Sequence, residues 1–143
     1  IKGTGVTYAT TPQGADHTCG LTIRAKVNHL DSLGQAKVSL PAQLNMAGYD
    51  TLGACIFAGF GFATAPTSIP ELIKARYGWD APADYLQVLG RETIKMELEW
   101  NKQAGFTKKD DRLPEYMTRE PLPPNNPVFD VSEEELDTIY DDL

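Results

Sequence analysis

Between Pro82 and Gly105 the apolar residues recur at steps of mainly three and four. Tyr85, Leu89, Met96 and Trp100 form one line, and Leu86, Ile94 and Leu98 lie beside it. That period belongs to an α-helix, because a strand alternates its faces every second residue. Asp80-Ala81-Pro82 supplies a start signal and Gly105 a stop. The pattern predicts a long core helix with a broad apolar face, and such a face must be covered by other elements.

The surrounding segments also favour helices. Ser68-Ile69-Pro70-Glu71 reads as a capping box, and the helix it opens runs to about Tyr77 and stops at Gly78. Residues 34–47 carry small and apolar residues at helical spacing, with Pro41 suited to a helix start. Residues 1–20 are rich in Gly and Thr and read as loop and turn, with a short helix after Pro12. Asp50–Gly53 reads as a loop followed by a helix or buried turn through Phe57, while Gly59 and Gly61 predict irregular backbone. Leu21–Val27 is the one stretch that suits a short strand. Convincing alternation is absent, so the expected fold class is all-α, multihelical.

From Leu113 the texture changes. Five of the ten prolines lie between Pro114 and Pro127, which predicts an extended surface segment. Ser132 followed by Glu133-Glu134-Glu135 is a second capping box, and the short helix after it carries Leu136, Ile139 and Tyr140. The expected organisation is a helical domain over 1–113, with 114–143 a Pro-rich segment and short acidic helix packed on it.

Charge narrows the function classes. The net charge is −7, and seven acids with no base fall between Asp130 and the C-terminus. The rest of the chain balances thirteen acids against thirteen bases. No basic stripe exists to hold a phosphate backbone, so nucleic acid is not an expected partner. The acidic end reads as the solvated face of a last helix. The longest apolar run, Leu52–Ala65, is shorter than the roughly 20 residues a bilayer needs. No membrane partner is expected, and two cysteines do not make a disulfide framework, so a cytoplasmic location is the expectation. Ile1 in place of a starting methionine reads as a processed or partial chain.

Three constellations bear on chemistry. Gly14-Ala15-Asp16-His17-Thr18-Cys19 places a histidine in a Gly/Thr-rich loop, where imidazole can give or take a proton near neutral pH. A structural or solvated histidine is the plain alternative. His17 and Cys19 do not reach the four ligands of a zinc site, and His29 stands at no finger spacing. Lys2-Gly3-Thr4-Gly5 has the wrong order for a phosphate loop. Tyr49–Phe57, YDTLGACIF, sets Asp50 and Cys55 five residues apart around Gly53. Cys55 reads either as a small core hydrophobe or as a thiolate ligand. An iron–sulfur cubane takes four cysteines, and this chain has two, so the other ligands of any such cluster lie elsewhere.

The order KGTGVTYATTPQGADHT, DTLGAC, ELIKARYGWD and WNKQAGFTKKDDRLPEYMTREPL resembles the C-terminal region of the aldehyde ferredoxin oxidoreductase family over nearly the whole chain. The most specific pieces are GADH, the DTLGAC loop and the stretch from Asn101 to Pro114. The resemblance implies a tungsten (or molybdenum) bis-pterin centre with a nearby 4Fe–4S cluster. It implies oxidation of aldehydes to carboxylic acids, with electrons passed to ferredoxin or another redox partner. It also implies helical domains completed by an N-terminal domain that supplies the other three cluster cysteines, and it is compatible with a homo-oligomer.

Residue by residue, Asp50 matches the aspartate that hydrogen-bonds a pterin ring, and Cys55 matches the fourth cluster ligand. Ala54 stands where the family usually has leucine, whose backbone contacts the pterin. His17 matches the histidine near the metal, proposed to assist proton transfer or orient substrate. Cys19 has no matching role. Gly90-Arg91-Glu92 exchanges the acid and base of the commoner GER, and a frequent RGW-containing tail is missing, which reads as a shorter subfamily. The isolated chain is expected to be cofactor-free and inactive. A relative acting on another substrate, such as an aromatic acyl-thioester reductase, and a non-enzymatic helical module docking a basic partner through the acidic end, are the alternatives.

Overall fold

A computed structural model describes residues 1–143. Seven helices follow one another: α1 (Lys2–Thr10), α2 (Gln35–Thr51), α3 (Gly59–Thr64), α4 (Ser68–Tyr77), α5 (Tyr85–Gln103), α6 (Glu115–Arg119) and α7 (Glu133–Asp137). Single 3-10 turns occupy His17–Cys19 and Ile56–Ala58. There is no strand, so the class is all-α as expected.

The long helix is α5, and it packs along α2. The two backbones approach through Gly90 and Gly48: a Cβ on Gly90 would lie 1.8 Å from the Leu44 carbonyl oxygen. Leu44, Ala47 and Ile94 fill the seam, with Leu40 and Leu98 against them. The helix starts at Tyr85 rather than Pro82, after a turn in which the Tyr85 N–H donates to the Pro82 carbonyl at 3.1 Å. Its apolar face is only partly covered, since Met96 is 66% and Trp100 74% exposed.

Several expectations fail for physical reasons. Residues 2–10 form a helix, not a loop. Their Gly and Thr content disfavours helix intrinsically, but Val6, Thr7 and Thr10 are fully buried, and tertiary packing decides. Pro41 lies inside α2 rather than at its start. It is exposed, as is Lys37, whose carbonyl loses its helical partner and is left to water. Residues 59–64 form α3 despite their glycines, with the Phe62 ring stacked 6.1 Å from Tyr49 of α2. Leu21–Val27 makes turns rather than a strand: Thr22 is buried against Thr4, hydroxyl to hydroxyl at 3.0 Å, and no partner strand exists. In α4 no side chain caps the N-terminus, and the Ser68 hydroxyl donates back to the Ala65 carbonyl.

The C-terminal segment is less extended than its prolines suggest, because α6 interrupts it. Its far end is a structural part of the core. Val131, Leu136 and Ile139 join Val6, Ala9 and Ala36 in one buried cluster. The acids are also engaged: Asp130 pairs with Lys2, Asp137 and Glu133 with Arg112, and Asp141 with Lys108. Ser132 caps α7 as expected, accepting from the Glu135 N–H at 3.2 Å. Glu135 does not close the box on its own helix. Its carboxylate instead accepts from the Gly34 and Ala36 N–H groups at the start of α2. That interaction satisfies two donors a helix start leaves free and sets a negative charge on the positive end of the dipole. Glu135→Ala should therefore cost about 1–2 kcal/mol; urea unfolding reads this, and an unchanged midpoint would remove the cap from the fold's account.

Candidate functional site

The turn after α2 is dictated by Gly53. Its φ of +66° is a left-handed conformation that glycine takes without strain. The Gly53 N–H donates to the Asp50 carbonyl at 2.9 Å and the Ala54 N–H to the Tyr49 carbonyl at 2.8 Å, the two bonds of a Schellman turn. Two consequences follow. Ala54 has its N–H engaged, so only its carbonyl oxygen is free for a ligand. The chain then leaves the helix in an extended conformation at Cys55, whose thiol is exposed.

Asp50 sits in the last turn of α2, and no hydrogen bond or ion pair holds its carboxylate. Partial burial raises its pKa, and the negative charge of Asp16 adds to the shift. The turn that carries His17 also packs on α2, and Gly20 behind it lies against Gln43 of that helix, although loop and helix are far apart in sequence. No side chain or backbone atom lies within 4 Å of where a Cβ on Gly53 would be, so the turn is open above its glycine.

The second turn is capped by Asp16. Its carboxylate accepts from the Thr18 N–H at 2.8 Å, which lowers its pKa, and so closes the 3-10 turn His17–Cys19. The His17 ring projects outward, 65% exposed, with Nδ1 3.6 Å from Asp16 Oδ1. Both stems of this loop are fixed by a buried polar network between α1 and α2. The Thr7 hydroxyl donates to the Gly20 carbonyl at 2.8 Å and accepts from Ser39 at 2.7 Å. Gln43 Nε2 donates to Ser39 and Thr10, and Thr10 donates to the Val6 carbonyl. Every hydroxyl proton in that chain has an acceptor.

The two cysteines now separate. Cys19 is 4% exposed, and its thiol donates to Gln13 Oε1 at 3.3 Å. Burial pushes the thiol pKa up, and the charges of Asp16, Asp50 and Glu97 add to it. A protonated, enclosed thiol is neither a ligand nor a nucleophile. Cys55 has the access that a ligand requires. No three His, Cys, Asp or Glu side chains stand together as a metal site, and of the two thiols only that of Cys55 is exposed. An exposed thiol, an unpaired carboxylate and an open glycine turn fit a cluster and a pterin brought by other parts of a larger protein.

The structure thus sets the His17 turn against α2, whose last turn carries Asp50, and puts Cys55 five residues beyond Asp50. Sequence reasoning missed Gln13, Glu97 and Asn101, which lie behind the His17 turn. Asn101 Nδ2 donates to the Pro12 carbonyl at 2.7 Å. Burial raises the pKa of Glu97; the Gln13 side chain opposes the shift and the Asp50 charge adds to it. A polar residue at every fourth position of a long amphipathic helix, Thr93, Glu97 and Asn101, was the available signal.

The family model for aldehyde ferredoxin oxidoreductase, domains 2 & 3, matches residues 1–142. No curated protein matches the chain. With that match spanning all but one residue, the chain belongs to the aldehyde ferredoxin oxidoreductase family, in the region of its domains 2 and 3.

Proposed function

We propose that this chain forms part of an enzyme that oxidises aldehydes to carboxylic acids at a tungsten (or molybdenum) bis-pterin centre. Water supplies the added oxygen, and two electrons and two protons leave for each aldehyde oxidised. When bound, the metal–pterin group supplies the two-electron redox chemistry, and a 4Fe–4S cluster carries the electrons onward to ferredoxin or another acceptor.

The chain's own residues have distinct tasks. The ionised Asp50 carboxylate accepts hydrogen bonds from the N–H groups of a pterin ring, which are charge-assisted and therefore strong. Ala54 offers its free carbonyl oxygen to the same ring; its N–H is already committed to Tyr49. Cys55 provides the fourth cluster thiolate. His17 exchanges a proton at its imidazole as the aldehyde carbon is oxidised. The observation that carries this reading is the turn itself, which sets an unpaired carboxylate and an exposed thiol on either side of an open glycine. The module reading is the less favoured, because Asp130, Glu133, Asp137 and Asp141 pair with bases of this chain and Glu135 caps α2.

The test is iron content in the complete enzyme. Cys55→Ala should lose the cluster, while Cys19→Ala should keep it. Equal iron in both variants would sink the assignment of Cys55. The isolated 143-residue chain should bind neither tungsten nor a brown cluster; stoichiometric amounts of both would overturn the division of ligands between this chain and the rest of the enzyme.

A further inference from the structure

Helix α5 presents Thr93, Glu97 and Asn101 at successive steps of four residues, hence on one face and about 12 Å from end to end. Each member touches a different part of the candidate site. The Thr93 hydroxyl lies 2.8 Å from that of Thr51, the residue after Asp50. Two protons serve three contacts there, because both hydroxyls also lie near their own carbonyls four residues back. Glu97 stands beside Gln13, whose Oε1 accepts from the buried Cys19 thiol. Asn101 donates to the Pro12 carbonyl at 2.7 Å, at the start of the loop that carries His17. The loop and the Asp50 turn share no direct hydrogen bond, yet both are fastened to one rigid helix.

We propose that this stripe on α5 is the positioning element of the site, with Asn101 its principal member, holding the His17 loop at a fixed place relative to the Asp50 turn. The proposal rests on the reading of His17 given above. Thr93, Glu97 and Asn101 touch no reacting atom; they act through the backbone of the loop and turn. A small displacement of a proton-exchanging group is costly in rate, on the order of 100-fold for about 1 Å. The bond from Asn101 is the only side-chain hydrogen bond from α5 to the loop backbone, so its loss should let the loop drift.

The experiment uses the complete enzyme with Asn101→Ala. Turnover should fall about tenfold or more with iron and pterin content unchanged, and amide exchange over residues 12–19 should speed up. In a His17→Ala background the same substitution should change turnover no further, since nothing remains to be misplaced. Equal losses in both backgrounds would overturn the positioning role. If Asn101→Ala fails to fold, Asn101→Asp keeps the shape of the side chain but replaces the donor by an acceptor-only carboxylate facing the Pro12 carbonyl, and should raise exchange in the same segment. Unchanged exchange over 12–19 in whichever variant folds would overturn the tether itself. A His17→Ala enzyme with full turnover would instead remove the underlying reading of His17, and the exchange measurement would still decide the tether.

Discussion

Replacing Gly90 by alanine should lower the unfolding temperature by on the order of 10 °C or prevent folding altogether. The added Cβ would stand 1.8 Å from the Leu44 carbonyl oxygen and 2.8 Å from its carbon. Both are backbone atoms of α2, which no rotamer change can clear. The only relief is for α2 and α5 to move apart by about 1.5 Å, and a gap of roughly 1 Å already forfeits up to half of each dispersion contact it opens. The seam at risk includes Leu44, Ala47 and Ile94. Alanine gains about 1 kcal/mol in helix propensity over glycine. The clash and the opened seam cost at least about 3 kcal/mol, so the loss wins. Gly61→Ala is the control, because no atom outside its local backbone lies within 4 Å of the added methyl. Thermal unfolding followed by helical circular dichroism decides it, and matching temperatures for wild type and Gly90→Ala would refute the close-packing argument.

Gln43→Ala should cost about 2–4 kcal/mol, the next largest effect. Gln43 is 1% exposed and sits at the centre of the polar network. Its amide donates to Ser39 at 3.0 Å and Thr10 at 3.1 Å, and its carbonyl accepts from the Tyr140 hydroxyl. Removing it empties buried volume and deprives two hydroxyl oxygens of a donor. Tyr140 would keep only the Thr10 carbonyl, at 3.1 Å. Burial raises the pKa of that phenol well above its ordinary value, so it acts as a neutral donor at all moderate pH. Tyr140→Phe should cost less, and the double variant less than the sum, because the two share a bond. A urea midpoint within error of wild type for Gln43→Ala would show that the network contributes only geometry.

How much of this was legible in the sequence depends on how local the cause is. The helices α4 and α5 and the cap on α7 were readable because apolar period and cap chemistry act within a few residues. The first helix was not. Its Gly and Thr content speaks for a loop, and only its burial against α2 and the end of the chain makes it helical. Glu135 shows the same limit from the other side: its motif predicts a local bond, and the structure uses it 101 residues away. At the site, His17, Asp50 and Cys55 stood out by residue type and spacing, their roles and Ala54 came from family resemblance, and the fold set the His17 turn against α2. That Ala54 has only a carbonyl left to offer follows from the Gly53 turn, which the sequence signalled as a glycine but not as a paired N–H. The positioning stripe was hidden because polar residues on an amphipathic helix ordinarily face water.

The engagement of the last helix has a consequence for synthesis. Half of the main buried cluster, Val131, Leu136 and Ile139, is synthesised after the helices it covers, and so is the carboxylate that seals the start of α2. A nascent chain halted before that point exposes the apolar surfaces of α1 and α2 with nothing to bury them. It also lacks the Tyr140 hydroxyl that closes the network beneath the histidine loop. Domains emerge from the ribosome in order, and incomplete ones present sticky surface to chaperones and proteases. Synthesis of residues 131–140 therefore acts as a licence for the site: the loop and turn gain their support only on chains extended past that segment.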